Sequence, residues 1–165
     1  MKQYDVIIIG GGVMGAFSAR ALARSGARVA IVEQYTMFNP YSASGGKTRS
    51  FRCDYLDPLY AGLALKAAKA WRDFESETGT KALVSCGCLN LWDPAFTVSW
   101  DGSYGGRAAQ SMRGVNAAYK ILEREELPAA FACSRGLLDL NGGLLQLGAI
   151  SAALAAELTK RLVRI

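Results

Sequence analysis

The chain has 165 residues, enough for one ordinary domain or for one domain with part of a second. Apolar residues make up 51% of it and charged residues 20%, a composition that builds a hydrophobic core and excludes disorder over most of the length. The net charge of +5 is modest and the Lys and Arg residues are scattered, so the sequence indicates no nucleic-acid partner.

The sequence also shows no signal for a membrane or for secretion. Its first apolar run, residues 6–9, has the length of a strand and stops at glycines, far short of the roughly 20 residues of a membrane span. The residues before it lack a hydrophobic region with a small-residue cleavage site. We therefore expect a cytoplasmic protein without a membrane partner.

The cysteines favour a packing role over a metal site. None of them forms a C-x-x-C pair, and the chain has no histidine, so we expect no metal. Cys86 and Cys88 are predicted to share one face of a strand. The favoured interpretation is that the cysteines are small apolar residues in a reducing compartment.

A strand–helix–strand pattern opens the chain. Residues 4–9 are a short β-branched run, which predicts a buried parallel strand, and glycines form a turn at 10–12. Residues 13–25 have the pattern of a helix that Gly26 ends, and residues 28–33 predict a second buried strand. Together they make one βαβ unit of about thirty residues.

The rest of the chain alternates loops, helices and short strands. Residues 35–57, rich in Ser, Gly, Asn and Pro, are predicted as loop, and apolar residues at helical spacing predict an amphipathic helix over 58–77, ended by Gly79. The remaining predictions are strands at 82–85 and 88–92 joined around Gly87, an irregular segment at 93–106, a helix over 107–125 interrupted near Gly114, a strand at 137–140, a turn at 141–143, a helix at 146–161 and a strand beginning at 162.

Gly10, Gly12 and Gly15 form a G-x-G-x-x-G motif in the context of a dinucleotide-binding site. The motif follows a predicted strand and opens a predicted helix, and Glu33 ends the next strand about twenty residues on. Gly10 permits the tight turn, Gly12 lets a pyrophosphate approach the backbone, and Gly15 lets the helix pack on the sheet. The N–H groups that open the helix favour phosphates.

Glu33 narrows the choice of nucleotide. Its carboxylate can accept hydrogen bonds from both ribose hydroxyls, and its charge would repel a 2′-phosphate, which argues against NADP. NAD and FAD share the same ADP moiety, so the motif itself leaves both open.

Two motifs carry a resemblance to a known family. Residues 4–15 read YDVIIIGGGVMG and, with Glu33, resemble the opening of FAD-dependent oxidoreductases of the D-amino-acid oxidase family, above all its sarcosine oxidase and N-methyltryptophan oxidase members. Residues 46–52 read GKTRSFR and are similar to the glycine, threonine and paired arginines in the loop after their second strand. The resemblance is sharp over residues 4–78 and diffuse beyond.

The resemblance implies a fold and a division of the chain. The fold is α/β: a three-layer FAD/NAD(P)-binding Rossmann-like domain with a parallel sheet, plus part of an antiparallel substrate subdomain. Residues 1–79 and 137–165 would form an incomplete FAD-binding domain, and residues 80–136 would belong to the substrate-facing part.

The resemblance also implies FAD as the cofactor and assigns the site. The residues implied to bind FAD are Gly10, Gly12, Val13, Met14, Gly15, Glu33, Gln34, Ser44 and Arg49. In the family the first arginine of the pair lies near the flavin and the second helps to hold a substrate carboxylate, so Arg49 and Arg52 are the predicted catalytic residues. A guanidinium suits both tasks because it is permanently charged and binds a carboxylate with two hydrogen bonds.

The sequence departs from the family in three respects. Residues 43–45, Ala-Ser-Gly, stand where relatives usually have one or two histidines, and no cysteine matches the one that bonds the flavin covalently in some members. The family's full chain is also more than twice as long as this one.

The predicted function is oxidation of a C–N bond in a small amine or (N-methyl) amino acid by FAD, with O2 as electron acceptor. Two alternatives stay open: a truncated or isolated dinucleotide-binding module without turnover, and an NAD-dependent dehydrogenase. A missing C-terminal half or self-association is expected, because an incomplete sheet leaves an unpaired edge and apolar faces.

Overall fold

The computed structural model describes residues 3–95 and 99–160. Within these ranges the elements are β1 (Val6–Ile9), α1 (Val13–Arg24), β2 (Val29–Val32), β3 (Thr48–Phe51), α2 (Pro58–Thr78), β4 (Leu83–Val84), β5 (Cys88–Trp92), α3 (Tyr104–Gly114), β6 (Tyr119–Glu123), a 3-10 turn (Arg124–Glu126), β7 (Arg135–Asp139), β8 (Gly143–Gln146) and α4 (Leu147–Lys160).

The chain divides into two compact units. The first unit consists of Met1–Thr48, Thr78–Ala82 and Gln146–Ile165, and the second of Arg49–Glu77 and Leu83–Leu145. The predicted functional division at residues 80 and 136 has other boundaries, since it places α2 with the glycine motif. Compactness does not define function, so that division stays a prediction.

The βαβ prediction is confirmed in the first unit. Strands β1 and β2 pair in parallel, from Val6 opposite Val29 to Ile9 opposite Val32. Helix α1 connects them and ends before Gly26. The φ of Gly26 is +93°, a conformation that glycine adopts at little cost. Helix α4 joins this unit through Arg20 on α1, whose Nε donates to Glu157 Oε2 at 2.7 Å.

The expected burial of the two strands is wrong on one face of their sheet. Ile7 is 63% exposed, Ile9 89% and Val32 57%, whereas Val29 and Ile31 are buried. Helix α1 packs against the other face, where Ile8 lies near Gly15. A β-branched run is typical of a strand covered on both faces, but within the described part of this unit α1 covers only one.

An ion pair joins the start of β1 to the start of β2. Asp5 Oδ2 accepts from the backbone N–H and the Nε of Arg28, at 2.8 and 3.0 Å, and Asp5 Oδ1 accepts from Nη2 at 2.7 Å. The side-chain hydrogen bond from Arg28 is the largest cause that lowers the pKa of Asp5 from 3.8 to about 2. The charged carboxylate is therefore the form that favours the folded state.

The substitution Asp5→Asn tests this ion pair through pH. A carboxyl with a lowered pKa stabilises the fold above its unfolded value, and it loses that effect as the pH falls through the folded value. The stability of the natural chain should exceed that of the variant by a constant margin at neutral pH, and the margin should disappear between pH 3.8 and about 2. Urea unfolding at a series of pH values measures it, and a margin as large at pH 2 as at neutral pH would contradict the assignment.

The second unit confirms the antiparallel part of the fold class. Strand β7 lies between β5 and β6 and pairs antiparallel with both, so that Asp139 lies opposite Cys88 on one side and Tyr119 on the other. A second sheet has the order β3-β8-β4 and lies mostly in this unit. Phe74 of α2, Met112 of α3 and Leu137 of β7 are almost completely buried and form its core.

Three element predictions are wrong in the second unit. The predicted loop at 35–57 contains β3, which pairs with β8, and β8 itself was predicted partly as turn and partly as helix. Helix α3 begins at Tyr104, where an irregular segment was predicted, because the Ser103 hydroxyl accepts from the Gly106 N–H and caps it. It ends at Gly114, and within the rest of the predicted helix residues 119–123 form strand β6, which pairs with β7, while residues 124–125 lie in the 3-10 turn.

The expected shared face of Cys86 and Cys88 is also wrong. Cys88 opens β5, whereas Cys86 lies in the connection between β4 and β5. The cause is Gly87, whose φ of +79° breaks the extended backbone between them. The strand predicted to begin at 162 lies outside the described residues.

No helix within residues 3–95 and 99–160 is both long enough and apolar enough to cross a membrane. The helix α2, the longest of the described elements, carries charged side chains along its surface, among them the pair Lys69 and Asp73.

Candidate functional site

The glycine motif forms a tight turn from β1 into α1. Gly10 has a φ of +102°, and its N–H donates to the carbonyl of Val32 at 2.8 Å. A Cβ on Gly15 would lie 2.0 Å from the carbonyl oxygen of Gly10, closer than any side chain can approach. The turn therefore requires glycine at 10 for its backbone angle and at 15 for its packing.

The backbone N–H groups that follow this turn lie in the first turn of α1. The N–H of Val13 donates to Ser44 Oγ at 3.0 Å. In the part of the chain that the structure describes, the N–H groups of Met14 and Gly15 donate to no other atom. They are two of the unpaired donors at the positive end of a helix, which is a site for phosphate oxygens.

The N-terminal end of α1 has room for the predicted pyrophosphate. A Cβ added to Gly12 would meet only the side chain of Ser44, with its Oγ at 3.1 Å. A hydroxyl, rather than a packed apolar side chain, therefore borders the amides, and a hydroxyl can also donate to a phosphate oxygen. The residues present thus fit the phosphates of a dinucleotide.

Glu33 lies directly after β2 and faces the glycine turn. Its Oε2 accepts from the N–H of Gly11 at 2.6 Å, and its Oε1 accepts from the N–H of Tyr35 at 3.1 Å. The pKa of Glu33 lies below its usual value of 4.5. The hydrogen bond from Gly11 is the largest cause, and the hydrogen bond from Tyr35 is the next. The carboxylate is charged at neutral pH. Among the described residues, Oε2 accepts only the hydrogen bond from Gly11 and keeps a lone pair for a ribose hydroxyl.

The structure brings most of the predicted cofactor residues together in the first unit. Glu33 accepts a hydrogen bond from the N–H of Gly11, and Ser44 accepts one from the N–H of Val13. Met14, in the first turn of α1, is 79% exposed. Gln34 follows Glu33 and is exposed. These placements agree with the predicted site without testing it, so the cofactor contacts stay predictions.

Asn39 supports this site, and the sequence analysis missed it. Its side chain is buried, and its Nδ2 donates to Glu33 Oε1 at 3.3 Å and to the carbonyl of Thr36, also at 3.3 Å. Its Oδ1 accepts from the N–H of Tyr41 at 3.1 Å, so one side chain organises the loop after β2. The Asn-Pro pair at 39–40 is a turn signal that could have revealed it.

The two predicted catalytic arginines lie in the second unit. Arg49 is in β3 and is exposed, and Arg52 follows that strand. The Nη1 of Arg52 donates to Asp54 Oδ1 at 2.9 Å and to the hydroxyl of Tyr104 at 2.6 Å. Sequence reasoning selected both arginines but found neither partner of Arg52.

Asp54 and Tyr104 form a network around Arg52. The hydroxyl of Tyr104 donates to the backbone carbonyl of Asp54 at 2.7 Å, and the Nδ2 of Asn90 donates to Asp54 Oδ2 at 3.3 Å. Asp54 is 1% exposed. Burial acts to lower the pKa of Arg52, but the hydrogen bond to Tyr104 and the charge of Asp54 outweigh it and raise the pKa, so Arg52 stays charged.

Cys53 packs between these groups and the core of the unit. It is completely buried, and its N–H donates to Asp139 Oδ2. Burial is the largest cause that raises the pKa of its thiol from 9.0 to about 12, followed by the charges of Asp139 and Asp54. At neutral pH this thiol is protonated and cannot act as a nucleophile.

Alkylation should therefore distinguish Cys53 from Cys86, which is exposed. Iodoacetamide at neutral pH is expected to label Cys86 in the native protein and to leave Cys53 unmodified, because reaction needs an accessible thiolate. Peptide mass spectrometry before and after addition of urea measures both sites. Labelling of Cys53 in the native protein at a rate near that of Cys86 would overturn this prediction.

The βαβ arrangement with its glycine turn defines an α/β protein of the dinucleotide-binding kind. Residues 5–165 match the family model described as DAO, FAD dependent oxidoreductase. The chain belongs to this family, which confirms the resemblance inferred from its sequence.

Curated relatives that the chain matches are named as sarcosine oxidases. The chain is 28% identical over 155 residues to human peroxisomal sarcosine oxidase, a match that covers 86% of this chain and 36% of that protein. It is 35% identical over 92 residues to monomeric sarcosine oxidase of Streptomyces avermitilis, covering 55% and 24% of the two chains. The chain thus spans about a third of the human relative's length.

Solved structures agree on the fold. A variant of NikD, described as an unusual amino acid oxidase, superposes with a TM-score of 0.81 at 25% identity, over 99% of this chain and 43% of that one. L-proline dehydrogenase from P. horikoshii superposes with a TM-score of 0.82 at 17% identity, over 99% and 43%. The second likeness concerns the fold alone.

Proposed function

We propose that the chain is the nucleotide-binding part of an FAD-dependent oxidoreductase that oxidises a C–N bond of a small amine or (N-methyl) amino acid, with O2 as electron acceptor. The observation that carries the proposal is the glycine turn. Among the described residues, the N–H groups of Met14 and Gly15 at the N-terminal end of α1 have no acceptor, and Glu33 borders the same turn. The family is FAD dependent. Because the chain spans about a third of the human relative, the activity belongs to the proposal.

The proposal gives each residue of the first unit a task. Helix α1 would hold the pyrophosphate through its first amides, with Ser44 beside them, and Glu33 would accept hydrogen bonds from the ribose. FAD, when bound, supplies the acceptor for the electron pair that leaves the C–N bond. The protein's own contribution is to bind and orient that cofactor.

The second unit would supply the groups for the substrate. Sarcosine, N-methyl-L-tryptophan and glycine, which appear in the names of relatives or solved neighbours, are small amines with a carboxylate. Arg52 would pair with such a carboxylate, and Arg49 would place positive charge near the flavin. A neutral amine needs no histidine base to react, so the absence of histidine from these 165 residues does not count against oxidase chemistry.

Absorption spectroscopy of the purified chain tests this function. Flavin absorption after addition of FAD, followed by bleaching when sarcosine is added without air and by recovery when air is admitted, would support an oxidase. Flavin absorption without bleaching would favour a binding module without turnover. This module is the second candidate because the match covers 36% of the human relative. Binding of NADH without binding of FAD would favour the NAD-dependent dehydrogenase.

Glu33→Gln isolates the contribution of the carboxylate to cofactor binding. The variant keeps the size of the side chain but loses its charge, and hydrogen bonds to charged groups are worth about 1.5–3 kcal/mol. We expect the Kd for FAD to rise roughly tenfold or more, measured by fluorescence titration. Glu125→Gln, at an exposed glutamate of the second unit, is the matched control and should leave the Kd unchanged. An unchanged Kd in Glu33→Gln would remove Glu33 from the site.

The location and the partners are also part of the proposal. All four cysteines are free, which suits a reducing compartment such as the cytoplasm, and cell fractionation tests this. Ile7, Ile9 and Val32 form an exposed apolar face on the first unit. Further polypeptide, either a C-terminal half or a second copy, would cover that face. Light scattering on the purified chain distinguishes a dimer from a monomer.

A further inference from the structure

The hydrogen bonds of Arg52 leave one edge of its guanidinium open. A guanidinium has five N–H donors, two of them on Nη1. Both Nη1 donors are used, one on Asp54 and one on Tyr104. Among the described residues, Nε and Nη2 of Arg52 donate to no atom, so three donors are open, and two of them, the Nε–H and one N–H of Nη2, lie parallel along the Nε–Nη2 edge.

Two aromatic rings and one buried carboxylate restrict the position of this guanidinium. The Cζ of Arg52 lies 4.9 Å from the ring centre of Tyr55 and 5.7 Å from that of Tyr104. The Tyr104 hydroxyl donates its only hydrogen to the carbonyl of Asp54, so it meets Arg52 as an acceptor. Since Asp54 is almost completely buried, its contact anchors the arginine to the interior of the unit.

We propose that Tyr104 and Asp54 are positioning residues, which fix Arg52 so that its Nε–Nη2 edge is presented to the carboxylate of the substrate. The inference rests on the proposed function in that it assigns a carboxylate to Arg52. Two parallel N–H donors match the two oxygens of a carboxylate, and holding them in place beforehand removes part of the entropy cost of binding. Because Asp54 compensates the charge of Arg52, recognition depends on this geometry more than on net charge.

Nuclear magnetic resonance on the full chain, labelled with 15N-arginine, tests the inference with acetate as the probe. The Nε–H resonance of Arg52, assigned by its loss in Arg52→Lys, should shift to saturation with acetate and should not shift with acetamide. In Tyr104→Phe the acetate Kd should rise roughly fivefold, the effect of one net hydrogen bond. Tyr60→Phe, at an exposed tyrosine of α2, is the matched control and should keep the Kd of the natural chain.

A second measurement needs no variant. Relaxation of the Arg52 Nε–H without acetate should report an ordered group, whereas Arg107, an exposed arginine on α3, should be mobile. Wherever turnover is measured, Tyr104→Phe should raise KM for an amino acid and leave kcat unchanged, which a general loss of structure would not do.

The outcomes separate this inference from the proposed function. Equal acetate affinity in the natural chain and Tyr104→Phe, or an Arg52 as mobile as Arg107, overturns the positioning role and leaves Arg52 as a carboxylate ligand. Absence of any acetate shift at Arg52 in the natural chain overturns both. Weaker binding in Tyr104→Phe alone supports the inference.

Discussion

Gly15→Ala is expected to abolish FAD binding and to destabilise the first unit by about 3 kcal/mol, the upper range for overpacking. The added Cβ would lie 2.0 Å from the carbonyl oxygen of Gly10 and 3.1 Å from its carbonyl carbon, and neither atom belongs to a flexible side chain. Helix α1 must therefore move away from β1, which takes the amides of Met14 and residue 15 out of position. Urea unfolding measures the stability, and fluorescence titration measures the Kd for FAD.

Gly148→Ala is the matched control for this substitution. Gly148 lies in the first turn of α4, in the same unit, and an added Cβ there meets no atom within 4 Å. Because alanine favours helix over glycine by about 1 kcal/mol at most, this variant should be as stable as the natural chain or slightly more stable. If Gly15→Ala bound FAD as tightly as Gly148→Ala does, the helix end would not be the phosphate site.

Asp139→Ala is expected to destabilise the second unit by about 3 kcal/mol, as the loss of a buried hydrogen-bonded carboxylate does. Asp139 is completely buried in β7. Its Oδ2 accepts from the N–H of Cys53, and its Oδ1 accepts from the backbone N–H of Asn141 at 2.9 Å. The substitution leaves the buried N–H of Cys53 without an acceptor and opens a cavity beside it.

The free energy of unfolding from urea titration measures this effect. Asp73→Ala is the matched control, because Asp73 is an exposed partner of Lys69 on α2 and such a pair contributes well under about 1 kcal/mol. A loss below about 1 kcal/mol in Asp139→Ala would show that the hydrogen bonds that this carboxylate accepts from Cys53 and Asn141 do not hold β7, Cys53 and the turn at 140–142 together.

The elements that were predicted correctly are those whose signals are local. The turn at Gly10, the helix end at Gly26 and the length of α2 each depend on residues within one turn of the backbone, so the pattern of the sequence contains them. Most of the wrong element predictions concern strands, which depend on a pairing partner in another segment of the chain. The start of α3 is an exception, because its Ser103 cap is a local signal. Strand β6 has helix-like apolar spacing and becomes a strand because β7 pairs with it.

The candidate site divides in the same way. Glu33 could be predicted from its distance to the glycine motif, since a βαβ unit of fixed length brings the ends of its two strands together. Asn39 was missed although its Asn-Pro signal is local. The partner of Arg52 on α3 could not be predicted, because Tyr104 lies 52 residues away and no repeat or motif links the two positions.

The sequence by itself determined the βαβ unit, the glycine turn and the charged residue at its side, because each depends on spacing within about thirty residues. The resemblance of the motifs at residues 4–15 and 46–52 indicated the family. Only the tertiary structure decided that one face of the β1–β2 sheet is exposed and that Asp54 and Tyr104 leave one edge of Arg52 open. Both depend on which surfaces meet after folding. Packing between distant segments is a property of the whole chain, which local patterns do not encode.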